Sequence, residues 1–362
     1  MNRRRVTGLL LIGCGATVLA GCQTETPEVV SQPQAAERVY VANQASASVS
    51  VIDAGSGDVV ATVDMIQYGF DGNSRPHHTA VDPDGAHWYV SLIGGGHVLR
   101  FNAGNELVGR APFETPGLLA SDPASGMLYV GRSMMAVNPP QRIGVIDPED
   151  MSIEELDVFF PRPHALALDP ETERVFTASL VENRFAVLSE GSGGLDLVDV
   201  EGPPHTFVQF ALSPDGRHLV ATAQMTGKLL VFAAADPNGG LVAEVDVGTQ
   251  PWHPVFSPQG DRVYFGAKDD DAVVVVETAG WTVVERITAP GIVEPHGSAV
   301  TADGRYLFVS NRNLKGTYVP GREVENNADV GTVVKIDTET YEVVRTIEVG
   351  AYPAGISIGP VG

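Results

Sequence analysis

The feature that most constrains the fold is a turn signal that keeps returning. It reads DPDG at Asp82, DPAS at Asp122, DPET at Asp169, SPDG at Ser213, SPQG at Ser257 and TADG at Thr301. The spacing is roughly 40 to 45 residues, the period of propeller blades. A β-rich run follows each turn: HWYVSL, MLYVGR, RVFTAS, HLVATA, RVYFGA and YLFVSN. A second run comes next (HVLRFN, RIGVID, RFAVLS, KLLVFA, AVVVVE, TVVKID), and most units close on a third such as TVVERITA. Short β-branched and aromatic runs parted by Gly, Pro, Asn and Asp predict strands joined by tight turns. Beyond the N-terminal apolar run, no window has the period of a long amphipathic helix.

The count of units follows from the ends. Residues 38–65, RVYVANQASASVSVIDAGSGDVVATVDM, carry the last three strands of a unit and lack the first. The C-terminal AYPAGISIGP carries a first strand and nothing after it. Joined, the two make one unit, and with the six internal units they make seven. The expected fold is therefore all-β: a seven-bladed β-propeller with four-stranded blades, one blade closed by the N- and C-terminal strands. Closure of the ring removes exposed sheet edges. VYVANQASASVSVID, with LYVGR and LFVSN, resembles the YVTN-repeat β-propellers, a family that overlaps with lactonase-type propellers. The resemblance covers essentially all of residues 38–360. It is specific for fold and unspecific for function, because propellers carry many unrelated activities.

The chain opens MNRRRVTGLLLIGCGATVLAGC. Three arginines before a short apolar run read as a signal peptide and not as a membrane span. The ending Leu19-Ala20-Gly21-Cys22 resembles the lipobox of bacterial lipoproteins. That resemblance implies cleavage before Cys22, lipidation of its thiol and anchoring to a membrane. The expected organisation is a signal peptide over 1–21, a lipidated Cys22 with a flexible tether over 22–37, and a propeller over 38–362. Gln23, in place of an Asp, favours the outer membrane, on the periplasmic side. Cys14 and Cys22 are the two cysteines of the chain, so the mature form has no thiol for a disulfide, a zinc–thiolate site or a nucleophile. A formal charge of −22 repels nucleic acid, which is excluded as a partner.

The turn signals also put the histidines in register. In a propeller the first strand of each blade lines the channel, and the segment entering it lies opposite the DPDG-type turns. Those entering segments are RPHH at Arg75, RPH at Arg162, PPH at Pro203, PWH at Pro251 and EPH at Glu294. His77, His78, His164, His205, His253 and His296 are thereby expected at one mouth of the channel, with His205 three residues out of register. His97 falls in a loop on the same face, whereas His87 and His218 are packing or surface positions on outer strands. Several neutral imidazoles around one axis suit a transition metal. The plainer reading is that each ring hydrogen-bonds a neighbouring blade. A His pair followed by single histidines from later blades also resembles the hub of nitrous oxide reductase, a copper propeller. The resemblance implies a copper site of one or two ions at these six residues. Two departures argue against that enzyme's own reaction: one hub histidine fewer, and no C-terminal copper domain with cysteine ligands.

Two insertions are expected on the same face: SMMAVNPPQR (133–142) and RNLKGTYVPGREVENNADV (312–330). Long loops on one propeller face are usual binding elements. Arg75, Arg162, Arg132 and Arg312 are cations near this mouth in an acidic protein and are candidates to hold a carboxylate or phosphate. Met134, Met135 and Met225 are weak candidate thioether ligands. Asp269-Asp270-Asp271 lacks the spacing of a calcium loop and reads as a solvated turn. Three functions stay open. One is a copper-binding propeller in metal handling or redox chemistry. Another is a non-catalytic YVTN propeller that binds a small molecule or protein at the histidine face. The last is a lactonase-like hydrolase with a histidine base.

Overall fold

A computed structural model describes residues 36–189 and 193–362. The expected signal peptide, Cys22 and nearly all of the tether lie outside the described residues. The rest forms seven four-stranded antiparallel sheets. Along the chain, blade 1 comprises Pro76–Val81, His87–Leu92, His97–Asn102 and Leu107–Pro112. Blade 2 comprises Pro116–Ser121, Leu128–Arg132, Arg142–Ile146 and Ile153–Asp157. Blade 3 comprises Pro163–Asp169, Arg174–Ser179, Arg184–Ser189 and Gly194–Asp199. Blade 4 comprises Phe207–Leu212, His218–Ala223, Lys228–Ala233 and Leu241–Asp246. Blade 5 comprises Val255–Phe256, Arg262–Ala267, Ala272–Glu277 and Thr282–Ile287. Blade 6 comprises Pro295–Val300, Tyr306–Asn311, Gly331–Asp337 and Val343–Val349.

The seventh sheet closes the ring. Pro353–Pro360 pairs antiparallel with Glu37–Asn43, which leads on to Ser48–Asp53 and Val59–Asp64. Its register sets Val39 opposite Ile358 and Val41 opposite Ile356. This is the composite unit expected from the two incomplete ends. Among the described residues the only helical elements are short 3-10 turns, and no helix is long and apolar enough to cross a membrane.

Strand order follows apolar patterning. First strands pack against one another around the axis. Second and third strands, such as HWYVSL and AVVVVE, are buried almost end to end because a neighbouring blade covers each face. Fourth strands are largely exposed and carry polar side chains outward. The core is accordingly a set of layers between blades and not one central mass. Between the closing blade and blade 1, Trp88 stacks on Tyr40 and Phe101, with ring centres 5.0 and 4.3 Å apart.

Candidate functional site

The site grows from a local motif repeated in all seven blades. A residue at the entry to each first strand has a left-handed backbone: Arg75, Thr115, Arg162, Thr206, Glu294 and Tyr352 immediately before the strand, and Gln250 before Pro251, whose isolated bridge to Ala267 precedes the short strand of blade 5, with φ between 46° and 56°. None is glycine, and this region is unfavourable for a side chain. In each blade the strain is offset in the same way. The carbonyl of that residue accepts a backbone N–H at the end of the second strand: Ile93, Ser133, Leu180, Gln224, Lys268, Arg312 and, in the closing blade, Gln44. Left-handedness here is thus a scaffold device, shared by blades with and without histidine.

A β-bulge follows at once. Pairing skips between Pro76 and Thr79, Pro116 and Leu119, Pro163 and Ala165, Phe207 and Gln209, Pro295 and Ser298, and across Ala354 and Gly355 in the closing blade. A bulge re-aims side chains and leaves backbone groups without ladder partners. His77, His78, His164 and His296 all occupy bulge positions. In blade 1 the orphaned N–H of His78 donates to Ser91 Oγ (3.1 Å), which itself donates to the carbonyl of Gly117 in blade 2 (2.6 Å). Blade 6 repeats the device: Gly297 N–H donates to Ser310 Oγ (2.9 Å), and Ser310 Oγ donates to Ala354 O (2.5 Å). Both serines are fully buried. Ser91→Ala and Ser310→Ala are therefore each expected to lower unfolding free energy by about 1 to 3 kcal/mol in urea titrations, the cost of a buried unsatisfied backbone group. A neutral result at both positions would remove the hydroxyls from this role.

His77, His78, His164, His253 and His296 are all buried. Ring centres lie 4.5 Å apart for His253–His296, 5.7 Å for His78–His253 and 5.9 Å for His77–His296. His164 is close enough to lower the proton affinity of His77, His78 and His253. Burial is the main cause of depressed pKa at all five, and neighbouring imidazoles add to it at every one but His164. His78 and His164 are pulled down from 6.5 to about 4; His77, His253 and His296 lie well below the ordinary value. The five are neutral imidazoles at neutral pH. Two have assignable tautomers: Nδ1–H of His164 donates to Arg132 O (2.7 Å), and Nδ1 of His78 accepts the N–H of Leu119 (3.2 Å). His164 Nε2, both ring nitrogens of His77 and His296, and Nε2 of His253 are buried without a partner. Among the described residues no group of three or more His, Cys, Asp or Glu side chains is arranged so that it could hold a metal ion.

The backbone makes room for this cluster. A Cβ on Gly355 would stand 2.5 Å from His77 O and 2.6 Å from His78 Cδ2, so the closing blade has glycine where blade 1 brings its His pair close.

His205 does not join the five. Its Nδ1 bonds Thr226 Oγ1 (3.0 Å), its Nε2 lies 3.4 Å from Glu201 O, and its ring stacks on Phe207 at 5.7 Å. It sits before the left-handed Thr206, outside the bulge that aims the others, so the ring serves the blade 4 entry loop. His97 bonds Gly95 O (2.7 Å), and His87 lies against Asp82 and Arg100.

The arginines divide. Arg132 is committed: its guanidinium bonds Glu114 O (2.8 Å) and Glu155 (3.0 Å) and lies 3.8 Å over Phe113. These contacts hold it within blade 2. Arg75 reaches Met135 Sδ (3.4 Å), and Arg162 donates to Met134 O. The insertion over 133–142 thus contacts two blade entries, through Met135 Sδ, whose residue is largely exposed, and the Met134 carbonyl. Met225 is exposed. Arg312 is buried 4.7 Å over the Trp252 ring and 4.6 Å over Tyr352, beside His77, His253 and His296. Trp252 also contacts His296 at 4.5 Å. These two aromatic residues are the part of the site that sequence reasoning did not single out. The signals were present: Trp252 shares the alignment column of His77, His164 and His296, and Tyr352 stands where Arg75 and Arg162 stand. The acidic run is an exposed turn, as expected, and it also makes hydrogen bonds. Asp269 accepts from Gln250 (2.6 Å), Asp270 from Thr249 N–H (2.9 Å), and Asp271 from Glu294 N–H (2.8 Å) and Lys315 (2.9 Å), which ties the 312–330 insertion down.

Fold and hub together define a seven-bladed β-propeller with a cluster of histidines at one mouth. The model of the lactonase seven-bladed β-propeller family matches residues 199–362. The chain is 24% identical over 200 residues to the uncharacterized protein YncE of Salmonella typhimurium, and 23% identical to its counterpart in Salmonella typhi. Each match covers 54% of both proteins, so the chain spans about half the length of the curated relatives it matches. Among solved structures, a functionally unknown protein from Desulfotomaculum acetoxidans superposes with a TM-score of 0.71 at 14% identity, covering 89% of this chain and 99% of that one. Dihydro-heme d1 dehydrogenase NirN in complex with DHE gives 0.62 at 15% identity, covering 90% and 75%. Apo AztD from Citrobacter koseri gives 0.61 at 12%, covering 90% and 98%. At such identities the likeness is one of fold. The likeness to nitrous oxide reductase rests on the histidine pattern alone.

Proposed function

We propose that the chain is an exported, membrane-anchored propeller that binds a transition-metal ion, copper foremost, through His77, His78, His164, His253 and His296. The observation that carries this reading is the set of buried imidazole nitrogens without partners at one channel mouth. A buried polar atom without a hydrogen bond is costly, and neutral imidazole is a favoured ligand of copper and zinc. The donors fit in type, although no three of them stand in a ligand geometry in this structure. Metal–nitrogen bonds of about 2 Å put imidazole centres about 5 Å apart around a tetrahedral ion, and the neighbouring rings stand 4.5 to 5.9 Å apart. The reading therefore requires the rings to reorient when a metal binds. Copper leads because it tops the affinity order for nitrogen sites. His164 is the best-prepared ligand, since its bond to Arg132 O leaves the Nε2 lone pair free.

The test is elemental analysis of protein purified without a His tag, before and after equilibration with copper and zinc. Stoichiometric uptake that disappears in a His77→Ala/His78→Ala/His164→Ala variant is expected. Absence of uptake, or unchanged uptake in that variant, overturns the reading. Anchoring is tested separately: Cys22→Ser is expected to move the protein from the membrane to the soluble fraction, and an unchanged distribution rejects lipidation.

The family match over 199–362 favours one other reading, a lactonase-like hydrolase in which a neutral imidazole acts as base. Lactone turnover by chelator-treated protein, lost on substitution of the same histidines, distinguishes it from the metal reading.

A further inference from the structure

The metal reading leaves part of this mouth unexplained. Arg312 Nε and Trp252 Nε1 are both buried without a partner, beside the free nitrogens of His296 and His253. Guanidinium and indole nitrogens only donate hydrogen bonds, so neither can bind a cation. What they lack is an acceptor. Arg312 forms no ion pair among the described residues. The nearest carboxylate influence on it is Glu294, whose Oε2 accepts the backbone N–H of Lys315 at 3.1 Å. A buried charge without a counterion costs several kcal/mol, and a water molecule can satisfy one N–H but not the charge. Lying over Trp252 and Tyr352, the guanidinium plane is held by two rings, and its N–H edges are directed away from their faces.

We infer that Arg312 and the indole N–H of Trp252 form a subsite for an anionic oxygen ligand, a carboxylate or an inorganic oxyanion, at the histidine-lined mouth. Arg312 presents the paired N–H groups that match two oxygens of such an anion, and Trp252 supplies a further donor. The ligand would neutralise the guanidinium and satisfy both orphaned donors at once. The subsite does not need a metal; with one bound, the anion would sit beside it and complete its surroundings. Sequence placement agrees. Arg312 opens the longest insertion of the chain, and Asp271 clamps that loop through Lys315 (2.9 Å), so the guanidinium is positioned before any ligand arrives.

The experiment uses the full-length, untagged protein, chelator-treated and titrated with sodium sulfate and sodium succinate at constant ionic strength. Binding is read by calorimetry and by the thermal midpoint. Saturable binding of at least one anion is expected, weakened by about tenfold or more in Arg312→Gln, as loss of a charge-assisted pair requires. Trp252→Phe keeps the ring and loses only the N–H, and is expected to weaken binding by a smaller factor. It decides the matter alone where Arg312→Gln does not fold. No saturable binding of either anion, or equal affinity in the variants that fold, overturns the subsite. Copper uptake is measured on the same preparations. Uptake without anion binding overturns the subsite alone, and anion binding without uptake overturns the metal reading alone.

Discussion

Metal-free protein is expected to lose stability steeply as pH falls from 6.5 toward 4. The cause is the buried imidazoles. His78 and His164 titrate near 4 in the folded chain and near 6.5 when exposed by unfolding. Between those values the unfolded state binds protons that the folded state refuses, so acid favours unfolding. The sign is that of a depressed pKa: the stabilisation is complete above 6.5 and lost as pH falls toward 4. At pH 4.5 each of these two groups has withdrawn about 2.5 kcal/mol, so the pair takes about 5 kcal/mol from a typical domain stability of about 5 to 15 kcal/mol. His77, His253 and His296, depressed further, act in the same direction. The check is urea unfolding at pH 7 and 4.5 for the natural chain and for His78→Asn/His164→Asn. Asparagine keeps both Nδ1-side hydrogen bonds and cannot be protonated. Surface carboxylates titrate alike in both proteins, so their effect cancels in the difference. The variant is expected to lose about 5 kcal/mol less between the two pH values. Equal losses would reject the account.

Removal of residues 353–362 is expected to abolish folding, with no soluble monomer recovered. That segment supplies the innermost strand of the closing blade. Its loss leaves the inner edge of Glu37–Asn43 unpaired and takes Ile356 from the core shared with Val333 and Phe308. It also breaks the link to blade 1, where Ser357 Oγ donates to Thr79 Oγ1 (2.7 Å) and Thr79 in turn to Tyr40 O (3.0 Å). An open ring exposes apolar faces and strand edges together, which exceeds the typical 5 to 15 kcal/mol margin of about this size of domain. The complementary experiment moves the strand instead of deleting it. A permuted chain that starts at 353, joins 362 to 36 through a short turn and ends at 352 is expected to fold, with a melting temperature within a few degrees of the original. Val361 N–H already bonds Ala36 O at 2.8 Å, so the new turn has little distance to cover. Circular dichroism and gel filtration report both outcomes. A soluble, cooperative monomer from the deleted chain would show that ring closure is dispensable.

Much of the architecture was legible because each blade repeats its own punctuation. A turn signal every 40-odd residues set the number of units, and the two partial units at the ends implied their union. Convergence of His77, His78, His164, His253 and His296 was legible for the same reason: equal offsets from a repeated turn put residues at equal places around an axis. His205 escaped because it lies three positions upstream of that register, where the loop and not the bulge directs the ring.

What the chain alone determined, then, is whatever depends on local pattern: strands, turns, the seven-fold count and the mouth at which the Pro-His segments meet. Tertiary structure decided what each side chain at that mouth touches. Arg132 and Arg312 look alike in sequence, both at the end of a second strand. By ladder register Arg132 stands opposite Pro116, while the position opposite Pro295 is Asn311, so Arg312 lies one step further on. One step along a strand turns a side chain to the other face. Arg132 therefore meets Phe113 and Glu155, and Arg312 meets Trp252, Tyr352 and the imidazoles. Glu155 comes from the same blade as Arg132 and Phe113 from the segment entering it, whereas Trp252 and Tyr352 come from blade 5 and the closing-blade entry on either side of Arg312. The repeat register places Trp252 and Tyr352 near the mouth, but which arginine each ring meets depends on the face the side chain takes.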